Sequence, residues 1–219
     1  MLREERDRMV EAHLASRGIS DERVLDAFRT IPREDFLPKD MAELAYRDSP
    51  LPIGDGQTIS QPYIVAVTAE ALGLRGEERV LEVGTGSGYA AAILSCLCRE
   101  IYTVERIPRL AAEAKERLAR LGYTNVHVSC ADGTLGWRDY APYDAIAVAA
   151  GAPAAPPALL DQLGASGRLV IPVGPDEANQ SLVRFVRTKE GTSSENLMSV
   201  RFVPLIGEHG CPSRPLREL

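Results

Sequence analysis

The sequence predicts an α/β protein built on a doubly wound, mostly parallel β-sheet. From residue 78 onward, short apolar segments of strand length alternate with segments of helical pattern, as expected when helices cover both faces of such a sheet. The first of these strands leads directly into a turn that contains three glycines. Two strand-like segments near the C-terminus, joined by a turn-rich stretch, predict an antiparallel hairpin at the sheet edge.

The N-terminal part of the chain is expected to add helices to this sheet. Residues 1–17 show an amphipathic helical pattern, and Gly18 is expected to end that helix. A second helix follows, with Ser20 or Asp21 as its N-cap and Pro32 beyond its end. A region of helices therefore precedes the alternating strands and helices.

Residues 46–62 connect the two regions and show no regular pattern. They are rich in proline and glycine, and long irregular segments of compact domains are often binding loops. A helix is expected to follow, from Pro62 to about Leu72. Ser60 lies just before it and fits either of two roles, an N-cap or a hydroxyl in a catalytic site, and its position by itself favours the cap.

The alternating part supplies five strands with helices between them. The strands are expected at 80–83, 100–105, 126–130, 143–148 and 168–173, and the helices at 88–97, 108–121 and 159–163. The two strands of the C-terminal hairpin are expected at 181–187 and 198–205, with the turn at 189–196.

The glycine turn, residues 84–88, follows Glu82 at the end of its strand. The dinucleotide fingerprint G-x-G-x-x-G requires a third glycine where this chain has Tyr89, so the pattern here is acidic-x-G-x-G-x-G. A carboxylate in this place repels a pyrophosphate but attracts a cationic amino group. The pattern therefore suits S-adenosylmethionine, which has an ammonium, a sulfonium and no phosphate. The alternative is a tight turn without a ligand.

Two more carboxylates follow the next two strands, at the sheet edge where ligands of such folds bind. Glu105 lies 21 residues after Gly84, the spacing of an acid that accepts hydrogen bonds from both ribose hydroxyls. Asp132 follows the third strand of the sheet. It can accept a hydrogen bond from an adenine amino group, or it can be an ordinary carboxylate of an Asp-Gly turn.

Composition argues against several other classes of protein. The net charge is −6 and there is no basic stripe, so we expect no nucleic-acid partner. The three histidines and four cysteines show neither metal-ligand spacing nor a C-x-x-C pair, so we expect no metal and buried, free thiols. The N-terminus is too charged for a signal peptide, and no apolar run reaches membrane-spanning length. We therefore expect a cytoplasmic protein without membrane contact, and a monomer because no exposed apolar stripe is evident.

Two further segments are more distinctive than the glycine turn: Thr58-Ile59-Ser60-Gln61-Pro62-Tyr63 and Arg201-Phe202-Val203-Pro204-Leu205. Together with Leu81–Tyr89, Val104–Arg106, Ala131–Gly133, Pro142–Ile146 and Pro172–Gly174, they give the chain its strongest likeness. Over nearly its whole length the sequence resembles the protein-L-isoaspartate (D-aspartate) O-methyltransferase family. It departs from the family pattern at Ala131, where the family often has glycine.

The resemblance implies a Rossmann-like methyltransferase that uses S-adenosylmethionine and forms S-adenosylhomocysteine. Its acceptor would be the free α-carboxyl of L-isoaspartyl residues in damaged proteins and peptides, with D-aspartyl residues as a second acceptor. By this likeness Ser60 is the catalytic residue or one that orients the substrate, and its backbone could start the helix at the same time. The residues implied for the cofactor are Glu82, Gly84, Thr85, Gly86, Ser87, Gly88, Glu105, Arg106, Asp132 and Gly133. The residues implied for the substrate are Thr58, Ile59, Ser60, Val203 and Leu205.

On this basis residues 1–76 form a helical and substrate-loop region, and residues 77–219 form the cofactor-binding core, in one compact unit. Two other functions stay open at this point. One is a methyltransferase for a small molecule or an RNA base, because this fold serves many acceptors. The other is a protein that binds S-adenosylmethionine without catalysis, against which the intact segment 58–62 argues.

Overall fold

The computed structural model describes residues 2–211, so the last eight residues of the expected core region lie outside the described part. Six α-helices occur there: α1 (Leu2–Met9), α2 (Glu22–Thr30), α3 (Pro62–Leu72), α4 (Tyr89–Ser95), α5 (Pro108–Arg120) and α6 (Pro157–Asp161). Nine strands occur there: β1 (Leu51–Gly54), β2 (Gln57–Ile59), β3 (Arg79–Val83), β4 (Glu100–Glu105), β5 (Val126–Cys130), β6 (Tyr143–Val148), β7 (Leu163–Val173), β8 (Gln180–Thr188) and β9 (Gly191–Val200).

Seven of these strands form one sheet in the order β5-β4-β3-β6-β7-β8-β9. Strands β3 to β7 run parallel, whereas β8 pairs antiparallel with β7 and β9 antiparallel with β8. The chain moves outward from β3 to β5 and then crosses to β6 on the other side of β3. This crossing creates a switch point, beside which ligands bind at the carboxyl ends of the strands. The predicted doubly wound sheet with an antiparallel C-terminal hairpin is confirmed.

Both faces of the sheet are covered by apolar layers. Successive side chains of β3 point to opposite faces, so Val80 belongs to one hydrophobic cluster while Leu81 and Val83 belong to the other. The first cluster also holds α2, α3 and α4, which places the N-terminal helices directly on the sheet. Burial on both faces explains why β3 is a nearly continuous apolar run.

The N-terminal elements follow the predicted boundaries. After α1 the chain continues through a π-helical turn and a 3₁₀ turn to Gly18, which has a left-handed φ of 99°. Of the two candidate caps for α2, Asp21 is the one used, because its carboxylate accepts a hydrogen bond from the backbone N–H of Arg23 at 3.0 Å. Short 3₁₀ turns follow at Arg33–Phe36 and Lys39–Leu44.

The expected irregular segment 46–62 contains a small hairpin instead. Strands β1 and β2 pair antiparallel, and both residues of the turn between them, Asp55 and Gly56, have positive φ. An Asp-Gly pair is a strong signal for a two-residue hairpin turn, but the flanking strands are too short to show an alternating pattern. We refer to residues 51–59 as the loop hairpin.

The C-terminal hairpin lies in the expected place, but its second strand does not. Strand β9 is Gly191–Val200, where we expected a long turn, and the turn consists only of residues 189–190. Residues 191–196 are exposed and polar because β9 is the edge strand of the sheet, so they lack the expected apolar pattern. Residues 201–206, of which 201–205 were expected to be strand, instead leave the sheet and pass over the carboxyl ends of the parallel strands. We call this segment the strap.

Three smaller differences concern helix α6, strand β7 and the cysteines. Helix α6 ends at Asp161, and β7 begins at Leu163, five residues earlier than expected. The cysteines of the described residues are free, as expected, but Cys96 and Cys130 are exposed rather than buried. Within residues 2–211 no helix is both long enough and apolar enough to cross a membrane.

Candidate active site

A cleft of about 740 Å³ opens at the carboxyl ends of β3 and β4, beside the switch point. The glycine turn after β3 forms one wall. Strand β2 with residues 60–61 forms a second wall, and the strap with the end of β9 forms a third. The strap is held by Gly151, whose N–H donates to Val203 O at 2.8 Å and whose carbonyl accepts from Leu205 N at 2.7 Å. The two family-specific segments of the sequence thus meet at one cleft.

The glycine turn bends sharply and leaves its backbone accessible. Gly84, Gly86 and Gly88 have φ values of 96°, 52° and 89°, which side-chain-bearing residues rarely adopt. A Cβ atom on Gly86 would also lie only 3.3 Å from Ile53 Cδ1 of the loop hairpin. The loop hairpin therefore lies against the turn; the positive φ values favour glycine at the bend, and the absence of a side chain on Gly86 allows the close contact.

Glu105 fixes the glycine turn relative to the end of β4. Its side chain is 5% exposed, yet it lines the cleft. Oε2 accepts from the backbone N–H of Gly86 at 2.9 Å, and Oε1 accepts from that of Ile107 at 2.9 Å. Each carboxylate oxygen has a second acceptor position. Glu105 can therefore accept ligand hydroxyls without releasing the turn.

Ser60 lines the same cleft, and its hydroxyl is unpaired among residues 2–211. Helix α3 has Gln61 at its N-cap position, but the Gln61 side chain makes no capping hydrogen bond. Asp48 caps the first turn instead, because its Oδ1 accepts a hydrogen bond from Tyr63 N at 3.0 Å. Ser60 Oγ makes no hydrogen bond to any residue in the range 2–211. The N-cap interpretation of Ser60 is therefore wrong, and its hydroxyl is available to a ligand.

Comparison with known proteins identifies the family of this chain. The sequence profile of the family "Protein-L-isoaspartate(D-aspartate) O-methyltransferase (PCMT)" matches residues 4–210. The chain belongs to this family. A Marinobacter nauticus protein named protein-L-isoaspartate O-methyltransferase 2 is 57% identical over 205 residues, which are 93% of this chain and 94% of that protein. A Methanoculleus marisnigri protein named protein-L-isoaspartate O-methyltransferase is 54% identical over 95% of this chain and 94% of its own length.

Solved structures agree with the fold and the family. A protein-L-isoaspartate O-methyltransferase superposes with a TM-score of 0.84 at 32% identity, covering 94% of this chain and 67% of that one. A Plasmodium falciparum protein assigned the same activity superposes with a TM-score of 0.78 at 26% identity, covering 92% and 98% of the two chains. That structure was solved in complex with S-adenosyl-L-homocysteine. This chain is accordingly a methyltransferase of the protein-L-isoaspartate family that depends on S-adenosylmethionine.

Most residues that the sequence implicated line the cleft. They are Thr58, Ile59, Ser60, Gly84, Thr85, Gly86, Ser87, Glu105, Arg106, Gly133, Val203 and Leu205. Three do not, namely Glu82, Gly88 and Asp132, although Gly88 still serves the turn by preceding α4.

Glu82 is buried behind the glycine turn, with 1% of its surface exposed. It lines a separate cavity of about 30 Å³ next to the cleft, together with Ser60, Thr68 and Phe202. Its Oε2 accepts from Thr103 Oγ1, while Oε1 is buried without a hydrogen-bond partner in the described part of the chain. Burial raises the pKa of Glu82 to about 8; the hydrogen bond from Thr103 opposes this rise, and the nearby carboxylate Glu105 adds to it.

Thr103 connects Glu82 to the glycine turn. Its hydroxyl lies 2.6 Å from that of Thr85, and its single proton goes to Glu82. With Glu82 ionised, Thr85 then donates to Thr103, because each hydroxyl has only one proton. The predicted contact of Glu82 with the cofactor ammonium stays a prediction, since a direct contact would have to be made from the neighbouring cavity.

Asp132 is engaged within the protein. Its Oδ1 accepts from the N–H and the hydroxyl of Thr134, and its Oδ2 accepts from the N–H of Glu208 at 2.8 Å. Burial tends to raise the pKa of Asp132, but the hydrogen bonds from Glu208 and Thr134 outweigh it and lower that pKa. The geometry is that of the turn carboxylate, the alternative left open by the sequence. A contact with adenine stays a prediction.

Several residues of the cleft were not singled out from the sequence. Arg17 and Tyr63 line it, with the guanidinium carbon 3.5 Å from the ring centroid, and Arg201 and Glu177 line it as well. Tyr63 ends the TISQPY segment and Arg201 begins the RFVPL segment, so these two motifs already contained both signals. Arg17 lies 43 residues before Ser60 on an N-terminal turn. No local pattern indicates that contact, because only the packing of the N-terminal helices brings it there.

Proposed function

We propose that this chain transfers the methyl group of S-adenosylmethionine to the free α-carboxyl of L-isoaspartyl residues in damaged proteins and peptides. Family membership supports this activity. The observation that carries it for this chain is that Ser60, whose hydroxyl is unpaired among residues 2–211, lines the same cleft as the glycine turn and Glu105. A hydrogen-bond donor is thereby available beside the place proposed for the cofactor.

The residues of the cleft fit S-adenosylmethionine. The turn at Gly84 and Gly86 lacks side chains that would fill the space against the backbone, and Glu105 offers acceptors for the ribose hydroxyls. Gly133 and Arg106 complete this part of the wall. When bound, the cofactor supplies a methyl group made electrophilic by the adjacent sulfonium.

The acceptor needs little activation by the protein. An α-carboxyl has an ordinary pKa of about 3.5, so it is an ionised nucleophile at neutral pH without a general base. Ser60 donates a hydrogen bond to one carboxylate oxygen and directs the other. Holding two reactants in line supplies up to roughly 7–11 kcal/mol of barrier reduction. Orientation is thus the main task of this site.

The strap and the loop hairpin surround the reacting groups. Val203 and Leu205 of the strap, and Thr58 and Ile59 of β2, are proposed to bind the substrate backbone and exclude water. The hydrogen bonds of Gly151 to the strap hold this wall in place. The chain is further proposed to act as a monomer in the cytoplasm without nucleic acid, in line with its net charge of −6. The division at residue 77 stays a prediction.

The test uses labelled S-adenosylmethionine with an isoaspartyl peptide and the same peptide containing normal aspartate. We expect label only in the isoaspartyl peptide. Equal labelling of both peptides would contradict the repair function and point to another acceptor. Tight cofactor binding without transfer would identify a binding protein.

Ser60→Ala tests the role of the hydroxyl. A hydrogen bond to a charged group contributes about 1.5–3 kcal/mol, so we expect kcat to fall roughly ten- to hundredfold. Affinity for S-adenosylhomocysteine, measured by calorimetry, should stay unchanged. Ser193→Ala on the exposed edge strand β9 is the matched control and should leave both values unaltered. An unchanged kcat in Ser60→Ala would refute the proposed role.

A further inference from the structure

Arg33 is a fully buried arginine whose guanidinium contacts backbone carbonyls from two separate segments. Its exposed fraction is 0%. Nη1 donates to Ala45 O at 2.6 Å and reaches Arg47 O at 3.4 Å. Nη2 donates to Ser49 O and to Ser60 O, each at 3.0 Å. One side chain therefore joins the start of the loop before β1 to the backbone of Ser60.

This charge is buried without a salt-bridge partner among the described residues, although the carboxylate of Asp48 is close enough to act on it electrostatically. Arg33 forms no salt bridge within residues 2–211; its other notable neighbour is Tyr89, whose ring centroid lies 5.8 Å from the guanidinium carbon. Burial lowers the pKa of Arg33. Taking a guanidinium out of water is costly, and an apolar side chain of similar volume would pack here without that cost. The carbonyls that it satisfies are what require arginine at this position.

A second set of hydrogen bonds holds the chain just after Ser60. Asp48 lies in the same loop as the carbonyls bound by Arg33, and its Oδ2 accepts from Gln61 Nε2 at 2.7 Å. Its Oδ1 accepts from Tyr63 N at 3.0 Å. Ser60 is thus fixed on both sides, through its own carbonyl by Arg33 and through the next residues by Asp48.

We propose that Arg33 is a positioning residue for methyl transfer, because it holds the backbone of Ser60 so that the Ser60 hydroxyl points into the cleft. Arg33 does not line the cleft itself, so it acts through Ser60 rather than on the ligands. This inference rests on the proposed function, which gives the Ser60 hydroxyl its role. The multiple carbonyl contacts explain why lysine cannot replace this arginine: its compact ammonium cannot span carbonyls that a planar guanidinium reaches together.

The first experiment is a double-mutant cycle of Arg33→Lys and Ser60→Ala, assayed with the isoaspartyl peptide. We expect Arg33→Lys to lower kcat at least tenfold in the wild-type background but less than threefold in the Ser60→Ala background. Affinity for S-adenosylhomocysteine should stay within threefold. The matched control is Arg168→Lys, because Arg168 is half-buried and donates to Gly73 O at the opposite end of α3. An equal loss of kcat in both backgrounds would overturn the proposal.

A second measurement does not depend on activity. Hydrogen–deuterium exchange of Arg33→Lys should show faster exchange in peptides covering 45–49 and 58–63, with α5 unchanged. If wild-type protein transfers no methyl group, the proposed function fails, and exchange still decides whether Arg33 holds Ser60. Unchanged exchange at 58–63 would overturn the inference.

Arg33→Gln is the second variant, since it removes the buried charge and keeps a planar amide donor. It enters the same cycle and the same exchange experiment, with the same expected pattern. If neither variant folds, Arg33 is required for global folding and the assignment as a positioning residue is refuted.

Discussion

Glu82→Gln should gain stability relative to the wild type as the pH rises from 5 to 8. Glu82 is 1% exposed, and one of its carboxylate oxygens has no hydrogen-bond partner among the described residues. Burial raises its pKa from an ordinary value of 4.5 to about 8. The folded protein therefore holds this proton over a pH range in which the unfolded chain has released it.

The sign and size of the effect follow from proton linkage. A raised carboxyl pKa contributes stability that is complete below pH 4.5 and is lost progressively as the pH rises to about 8. At about 1.4 kcal/mol per pH unit, the wild type loses at most about 5 kcal/mol over this range. Glutamine at this position does not titrate, so Glu82→Gln is spared that loss. The new amide can also shift the free energy of unfolding by a constant amount. Such a shift does not depend on pH, so the slope of the free-energy difference against pH still reports the titration of Glu82.

Urea unfolding of both proteins at pH 5, 6, 7 and 8 measures this difference. The free energy of unfolding of Glu82→Gln minus that of the wild type should rise by about 1.4 kcal/mol per unit across the middle of the range. Glu116→Gln, on the exposed side of α5, is the matched control and should run parallel to the wild type. Parallel curves for Glu82→Gln as well would show that Glu82 is already ionised in the folded protein.

Three more predictions concern the cleft. If Glu82 pairs with the cofactor ammonium, binding of S-adenosylhomocysteine at pH 7 releases a proton to the buffer. The binding enthalpies measured by calorimetry in phosphate and in Tris should therefore differ for the wild type and agree for Glu82→Gln. Equal enthalpies in the wild type would contradict the pairing. Glu105→Ala should weaken that binding roughly ten- to hundredfold by removing hydrogen bonds to a carboxylate; unaltered affinity would exclude its role. Gly133→Ala places a Cβ 2.4 Å from Val83 Cγ1 and should destabilise by about 1–3 kcal/mol, with partial rescue by Val83→Ala in urea unfolding.

Local patterns predicted the parallel part of the sheet well, because each element carries its own signal. Strands β4, β5 and β6 occur at the predicted residues, and α3 begins at Pro62 as expected. The prediction was wrong for β9, because an exposed edge strand can be polar along much of its length. It also missed the loop hairpin, whose strands have only four and three residues.

The sequence predicted those parts of the site that lie in contiguous motifs. The glycine turn, the TISQPY segment and the RFVPL segment all line one cleft. The roles of individual polar groups were harder to predict, since Ser60 fitted a cap and Asp132 fitted either a turn or a ligand contact. Asp48, not Ser60, accepts the backbone hydrogen bond at the start of α3, which excludes the cap role of Ser60. The carboxylate of Asp132 accepts hydrogen bonds from Thr134 and Glu208, as expected of a turn residue.

The sequence by itself determined the alternation of strands and helices, the bend after β3 and the family to which the chain belongs. These depend on periodicity, on glycine conformations and on contiguous motifs, which are local properties. Only the tertiary structure decided that Glu82 lies in a separate buried cavity, that Arg17 reaches the cleft and that Arg33 holds the carbonyl of Ser60. Burial and long-range hydrogen bonds depend on how distant segments pack, and no local pattern in the chain encodes them.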